Sequence, residues 1–383
     1  MHRRDLIRRL LASSLASRFG LGRFSSALGA VAVGPNAATI YRAAFGWDDD
    51  LSPEDRERLR GAPKVDLADP AVEPLLRKAA PMLKAMREAA AVGPCDWGVE
   101  IDSADKLNRD RLGLSPMYGV RAACLSARIQ AAGGREREAL DDLFAGLTLA
   151  HRIGADGVLI ARVFECAGEV AVFLTLGRLL PDLRRATLDD LSARFDALAP
   201  PEPASAVIGP ESRFVVGVLS GQIKSMGPKL GDADWARIDL KSDEVAALRA
   251  LVGDDRDALL AHVEATGPAF AELGRCLDLP RPDHAAALAE FARSRRATDP
   301  VVASLVEAVA GARHMADRRI ALRAMLRAGI ALVRDGEPAF SRVADPFGAG
   351  PFGLERRGRG RVIRSAMADP EKPEVSLAIG DAG

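Results

Sequence analysis

Glu165 and Glu169 are the residues whose type and spacing best suit chemistry in this sequence. Positions four apart share a helix face, so the two carboxylates would converge. Such a pair can hold a divalent cation, or divide acid and base roles between two perturbed carboxyl groups. Either use would make a metal-dependent or hydrolase-type enzyme. The simpler reading is ion pairing, with Arg162 three residues before Glu165 and Arg121 or Arg128 on an adjacent helix as partners. We take the simpler reading as the expectation and keep the enzyme as the alternative.

A second candidate is the loop run Cys95-Asp96-Trp97-Gly98. Trp97 offers a large flat contact surface and Asp96 an acceptor, which suits a ligand or partner. The same residues would also serve as a Trp plug closing the helical stack, with Asp96 capping a turn. His314 with Asp317, and His151 with Asp156, are further close pairs. A cationic imidazole at the helix end near His151 would be favoured by the dipole. No histidine has Glu three residues before it, so the di-iron bundle motif is missing. Zinc-protease, phosphate-loop and nucleophile-elbow motifs are missing too. Cys95, Cys124, Cys166 and Cys276 show no C-x-x-C spacing and read as free thiols. We therefore expect no metal, no cofactor and no locally encoded catalytic signature.

Composition narrows the partners. The chain has 383 residues, 53 basic and 53 acidic, for a net charge of zero. No global field draws it to nucleic acid or an anionic surface. Aromatic residues make up 5%, too few for a single-strand stacking platform. The arginines 356, 357, 359, 361 and 364 form an RG-type run, but on a hairpin they would simply face solvent. No nucleic-acid role is expected.

The elements that must position these groups are helices. Apolar residues recur at three and four from Asp69 to Val92, with Pro81 expected to kink that helix. Helical stretches follow at 115–132, 135–153, 158–180 and 188–198, separated by short Gly-rich turns that place neighbours antiparallel. After Pro200-Pro201-Glu202-Pro203 the pattern resumes at 204–226, 242–251, 254–277, 283–297 and 301–333, with an exposed loop expected at 227–239. Past Asp335-Gly336 the period changes. Two extended runs around the Gly358–Gly360 turn predict a β-hairpin, and Val375–Ile379 can add a strand.

This divides the chain into a leading segment 1–32, a helical-hairpin domain 33–199, a second helical domain 204–335 and a β-hairpin tail 336–383. The first ten residues, with Arg3-Arg4 and Arg8-Arg9, resemble a twin-arginine export signal, and Ala30-Val31-Ala32 is an A-x-A-type cleavage site. Residues 1–32 would otherwise make a membrane-surface helix. An exported, periplasmic or membrane-associated protein is expected, with a cytoplasmic one as the alternative.

Three resemblances add to this reading. Ala127, Gly133-Gly134, Ala139, Leu143 and Gly146 resemble one tetratricopeptide hairpin. Asp345, Pro346, Phe347, Gly348, Pro351, Phe352 and Ser365 resemble the tail of the major pseudopilins of type II secretion. That family begins with a processed apolar helix, whereas a long series of helical stretches precedes the tail here, so a pilus-subunit role does not carry over. A secretion-apparatus accessory is what the tail alone would imply. From Asn36 through Asp96-Trp97 to Asp345-Pro346-Phe347, the chain resembles a family of exported bacterial helical proteins, which implies organisation and address but no activity. The expectation is a mainly α protein of stacked antiparallel hairpins, a TPR-like array with a small C-terminal β-hairpin. Its leading role is a non-catalytic scaffold or peptide- and protein-binding module outside the cytoplasm.

Overall fold

The computed structural model describes residues 35–98, 114–155, 157–238, 240–367 and 375–381. The export-like segment and Asp156 lie outside them.

Local signals place the first helices. Asn36 accepts a hydrogen bond from the Ala38 backbone N–H and starts α1 (Ala37–Ala44). Ser52 does the same for Asp55 N–H, with Pro53 in the first turn of α2 (Pro53–Arg60). In α3 (Val72–Ala90) the stripe of Val72, Leu75, Ala79, Met82 and Met86 is buried. Pro81 falls on its solvent face, and the helix runs through it unbroken.

Next come α4 (Leu114–Ala132), α5 (Glu136–Gly154), α6 (Leu159–Leu179) and α7 (Arg185–Asp196). Gly134 makes the α4–α5 turn with φ +77°, a backbone geometry that costs glycine little. The second stretch holds α8 (Ile208–Lys224), α9 (Ser242–Val252), α10 (Arg256–Glu264), α11 (Gly267–Asp278) and α12 (Arg281–Arg295). The single helix expected over 254–277 is two helices. Gly267-Pro268 starts a new one, and the Thr266 hydroxyl donates to Val263 O at the break. The expected loop 227–239 holds one helical turn, Asp232–Trp235, which buries Trp235.

The long helix α13 (Val306–Asp335) then returns against α6. A three-stranded antiparallel sheet completes the fold: β1 (Gly353–Arg357), β2 (Gly360–Ser365) and β3 (Val375–Ile379), in that order. Arg357 faces Gly360 across the turn, and Ser365 faces Val375. The hairpin and the added strand both form as the period change indicates. The protein is thus mainly helical with a small C-terminal sheet.

The sheet sits on α6 and α13 through two glycines. A Cβ on Gly177 would stand 2.6 Å from Ala378 O, and one on Gly329 would stand 2.7 Å from Ile379 Cδ1. At Gly177 the neighbour is a fixed backbone carbonyl and only hydrogen fits; at Gly329 it is the end of an Ile side chain. Consequently the main core joins both ends of the chain: Tyr41, Leu75, Leu125, Phe173, Leu326 and Ile363 belong to one buried cluster. Residues between 204 and 310, joined by Leu159 of α6, build two smaller clusters, one around Phe270 and Phe291 and one around Trp235 and Leu259. By packing, the second half of α13 and the sheet belong with α1–α7, whereas the prolines at 200–203 alone would assign α13 to the second region.

Candidate functional site

Where α5, α6 and α13 meet, the structure brings together Glu165 and Glu169 from α6, His151 from α5 and Arg319 from α13. The helices approach closely because their contact residues are small. A Cβ on Gly168 would fall 2.7 Å from that of Ala150, and one on Gly154 would fall 2.2 Å from Glu165 Oε2. Glu165 therefore packs over Gly154, and its carboxylate enters the interface.

All four carboxylate oxygens are engaged. Glu165 Oε1 faces Arg319 Nη1 at 3.1 Å, and Glu165 Oε2 accepts from Arg162 Nη1 at 2.8 Å. Glu169 Oε1 contacts His151 Nε2 at 2.5 Å. Glu169 Oε2 faces Arg319 Nε at 3.0 Å. That last contact is an ion pair without hydrogen-bond alignment. Arg162 also binds Glu202, anchoring the proline-rich connection to the same cluster. Glu165 and Glu169 are 5% and 2% exposed, whereas the His151 side chain is one-third exposed.

The donor atoms of His151, Glu165 and Glu169 lie within 4.8 Å of one another, a spacing that a metal ion can bridge. The chemistry of the set argues against one. A cation would have to displace Arg319 from both glutamates, leaving that buried guanidinium unpaired at a cost of several kcal/mol. Solvent access is also poor. The nearby cavity holds about 40 Å³ and is lined by Arg162, Cys166 and Arg319 among others, not by either carboxylate. Burial pushes the Cys166 thiol up to about 11, so the nucleophilic thiolate is scarce there at neutral pH. The arrangement clamps three helices together electrostatically.

Of the partners expected for the glutamates, Arg162 is present. Arg128 instead donates to Ala62 O and Val65 O, at 2.7 and 2.8 Å. Sequence spacing pointed neither to Arg319 nor to His151. The runs of small residues in α5 and α6 at 146, 150, 154 and 168 were the available hint that these helices touch. Asp317 binds Arg313 at 2.9 Å.

The Asp96–Trp97 loop forms a plug. Trp97 is 2% exposed. Its ring stacks on Tyr41 at 5.8 Å and on Phe45 at 6.0 Å. Its Nε1–H donates to Arg152 O at 2.9 Å, and Arg42 donates to its carbonyl. Asp96 Oδ1 accepts from Gly98 N–H at 2.8 Å, and Asn36 bonds the Asp96 backbone at both N–H and C=O. The indole therefore faces the core rather than an approaching partner.

The tail residues Asp345 and Ser365 are buried together. Ser365 Oγ donates to Asp345 at 2.9 Å, and the Phe347 and Ala366 N–H groups donate to the same carboxylate. This bracket fixes the turn before β1 to the end of β2. On the sheet, Arg364 pairs with Glu355 and Arg361 with Glu337. All four cysteines are free thiols.

No described helix is long and apolar enough to cross a membrane. Compared with known proteins, the chain matches no family model, no curated protein and no solved structure.

Proposed function

We propose that the protein is a non-catalytic helical scaffold that binds a peptide or protein partner outside the cytoplasm. One observation supports this above the others: the pair best suited to catalysis, Glu165 and Glu169, has every oxygen committed to Arg162, Arg319 or His151 inside a packed interface. A catalytic carboxylate needs an oxygen within reach of substrate, and neither residue presents one. The extracytoplasmic address rests on the twin-arginine-like start at Arg3-Arg4, and mass spectrometry of the native protein tests it through a mature start near Val33.

A calorimetric titration with zinc or manganese ions tests the non-catalytic reading. The expected result is no stoichiometric uptake at micromolar metal by the wild-type protein. Uptake of one equivalent that disappears in His151→Ala would establish a metal centre and overturn the proposal.

A further inference from the structure

On the opposite face of α6, a second concavity carries charge without a partner. It has a volume of about 470 Å³ and is lined by Arg128, Ala131 and Ala132 of α4, by Arg178 and Leu179 of α6, and by Leu67, Asp182, Gly380 and Asp381. That volume lies in the range of small-ligand sites. Both arginines are half-buried. Among the described residues neither forms an ion pair with a carboxylate. Arg128 spends Nη1 on the two backbone carbonyls, and Arg178 makes no hydrogen bond at all. This contrasts with Arg162, Arg194, Arg249, Arg295 and Arg319, each of which has at least one carboxylate partner.

Burial pushes the pKa of Arg128 down, the field of Arg178 pushes it the same way, and Asp66 opposes both. Two like charges share one partly desolvated hollow, so an arriving anion would relieve repulsion already built into the fold. The rim narrows the ligand class. Asp182 and Asp381 are exposed there, and their charges disfavour a dianion such as phosphate more than a single carboxylate. Leu67, Ala131, Ala132 and Leu179 provide small apolar walls.

We propose that this pocket binds a carboxylate carrying a small aliphatic group, with the anion held between Arg128 and Arg178. The inference rests on the scaffold reading and names the chemistry of its ligand. A peptide C-terminus and a free organic acid share that chemistry.

The test is calorimetry on the intact protein with acetyl-Leu-Ala as free acid, the same peptide as C-terminal amide, N-acetylalanine and inorganic phosphate. The free acid is expected to bind at least about tenfold more tightly than the amide, the loss expected when a charged anchor is removed. Arg178→Ala should weaken the acid by a similar factor and change the melting temperature little, since Arg178 forms no ion pair or hydrogen bond among the described residues. Tighter binding of the dipeptide than of N-acetylalanine would identify a peptide terminus; equal binding would identify a small acid. Equal affinity for acid and amide, an unaffected Arg178→Ala, no binding of either carboxylate, or preference for phosphate would each overturn the pocket. Mass spectrometry of the recovered peptide separates the two claims. A bound but cleaved peptide would sink the non-catalytic reading and leave the pocket standing. Absence of binding would do the reverse.

Discussion

Two helix interfaces of this molecule, one in each region, handle buried charge in opposite ways. In the main bundle, three buried sites bring their carboxylates to a cation. Asp142 accepts from Ser126, Gln130 and Arg87, Glu136 binds Arg184, and Glu165 and Glu169 share Arg319. In the second region, Glu211 of α8 is 7% exposed and, among the described residues, has one hydrogen bond, from Leu159 N–H at 2.8 Å, and no cation. Burial raises its pKa to about 7. The same region has two smaller cores and, among the described residues, the exposed large apolar side chains Leu251 and Leu279. A carboxylate that crosses a helix interface can hold it or strain it, and the presence of a guanidinium decides which.

The largest expected effect comes from breaking the paired side. Arg319→Ala leaves two glutamates buried without their shared cation, and should cost about 3–5 kcal/mol in urea unfolding. A cost below about 1 kcal/mol would show that the cluster holds little together.

The unpaired side should respond in the opposite sense. The folded Glu211 keeps a proton that the unfolded chain releases from about pH 4.5 upward, so its contribution is fully present below that pH. Stability is then lost as pH rises toward 7, by up to about 3 kcal/mol. Glu211→Gln retains an oxygen for Leu159 N–H and cannot ionise. It should stabilise the protein at pH 8 and be neutral at pH 4, as read by thermal melts across that range. A destabilised variant at pH 8 would show that the carboxylate is favourable there.

Gly177→Ala sharpens the boundary between the regions. Its new methyl would meet the Ala378 carbonyl, so we expect a loss of about 1–3 kcal/mol from overpacking, with the sheet losing amide protection first. If hydrogen exchange on β3 is unchanged, the sheet is not seated through this contact. The smallest effect belongs to Arg178→Ala, within about 0.5 kcal/mol of wild type, because no ion pair or hydrogen bond among the described residues depends on that side chain.

Much of the fold was legible in the sequence because it rests on local rules. The α3 stripe follows from its period, and β1–β2 from the glycines at 358 and 360. The break at 265–266 was also written locally, in Gly267-Pro268, but the continuous apolar spacing across 254–277 masked it. The site was legible only in part. The spacing of Glu165 and Glu169 shows that they share a face and offers Arg162 as a partner. It cannot show that α13 returns to deliver Arg319, because that depends on how distant apolar faces pair. The hollow between Arg128 and Arg178 is hidden for the same reason: each arginine alone reads as an ordinary surface charge, and only the packing of α4 on α6 makes them share a pocket.

The most direct measurement is a double-mutant cycle between Glu169→Gln and Arg319→Met, read as urea unfolding free energies at neutral pH. If these residues clamp α6 to α13, the two losses will be strongly non-additive, with a coupling of about 1–3 kcal/mol. Additivity to within about 0.3 kcal/mol would mean that the glutamates do not serve the interface, and would return them to the list of groups kept for chemistry.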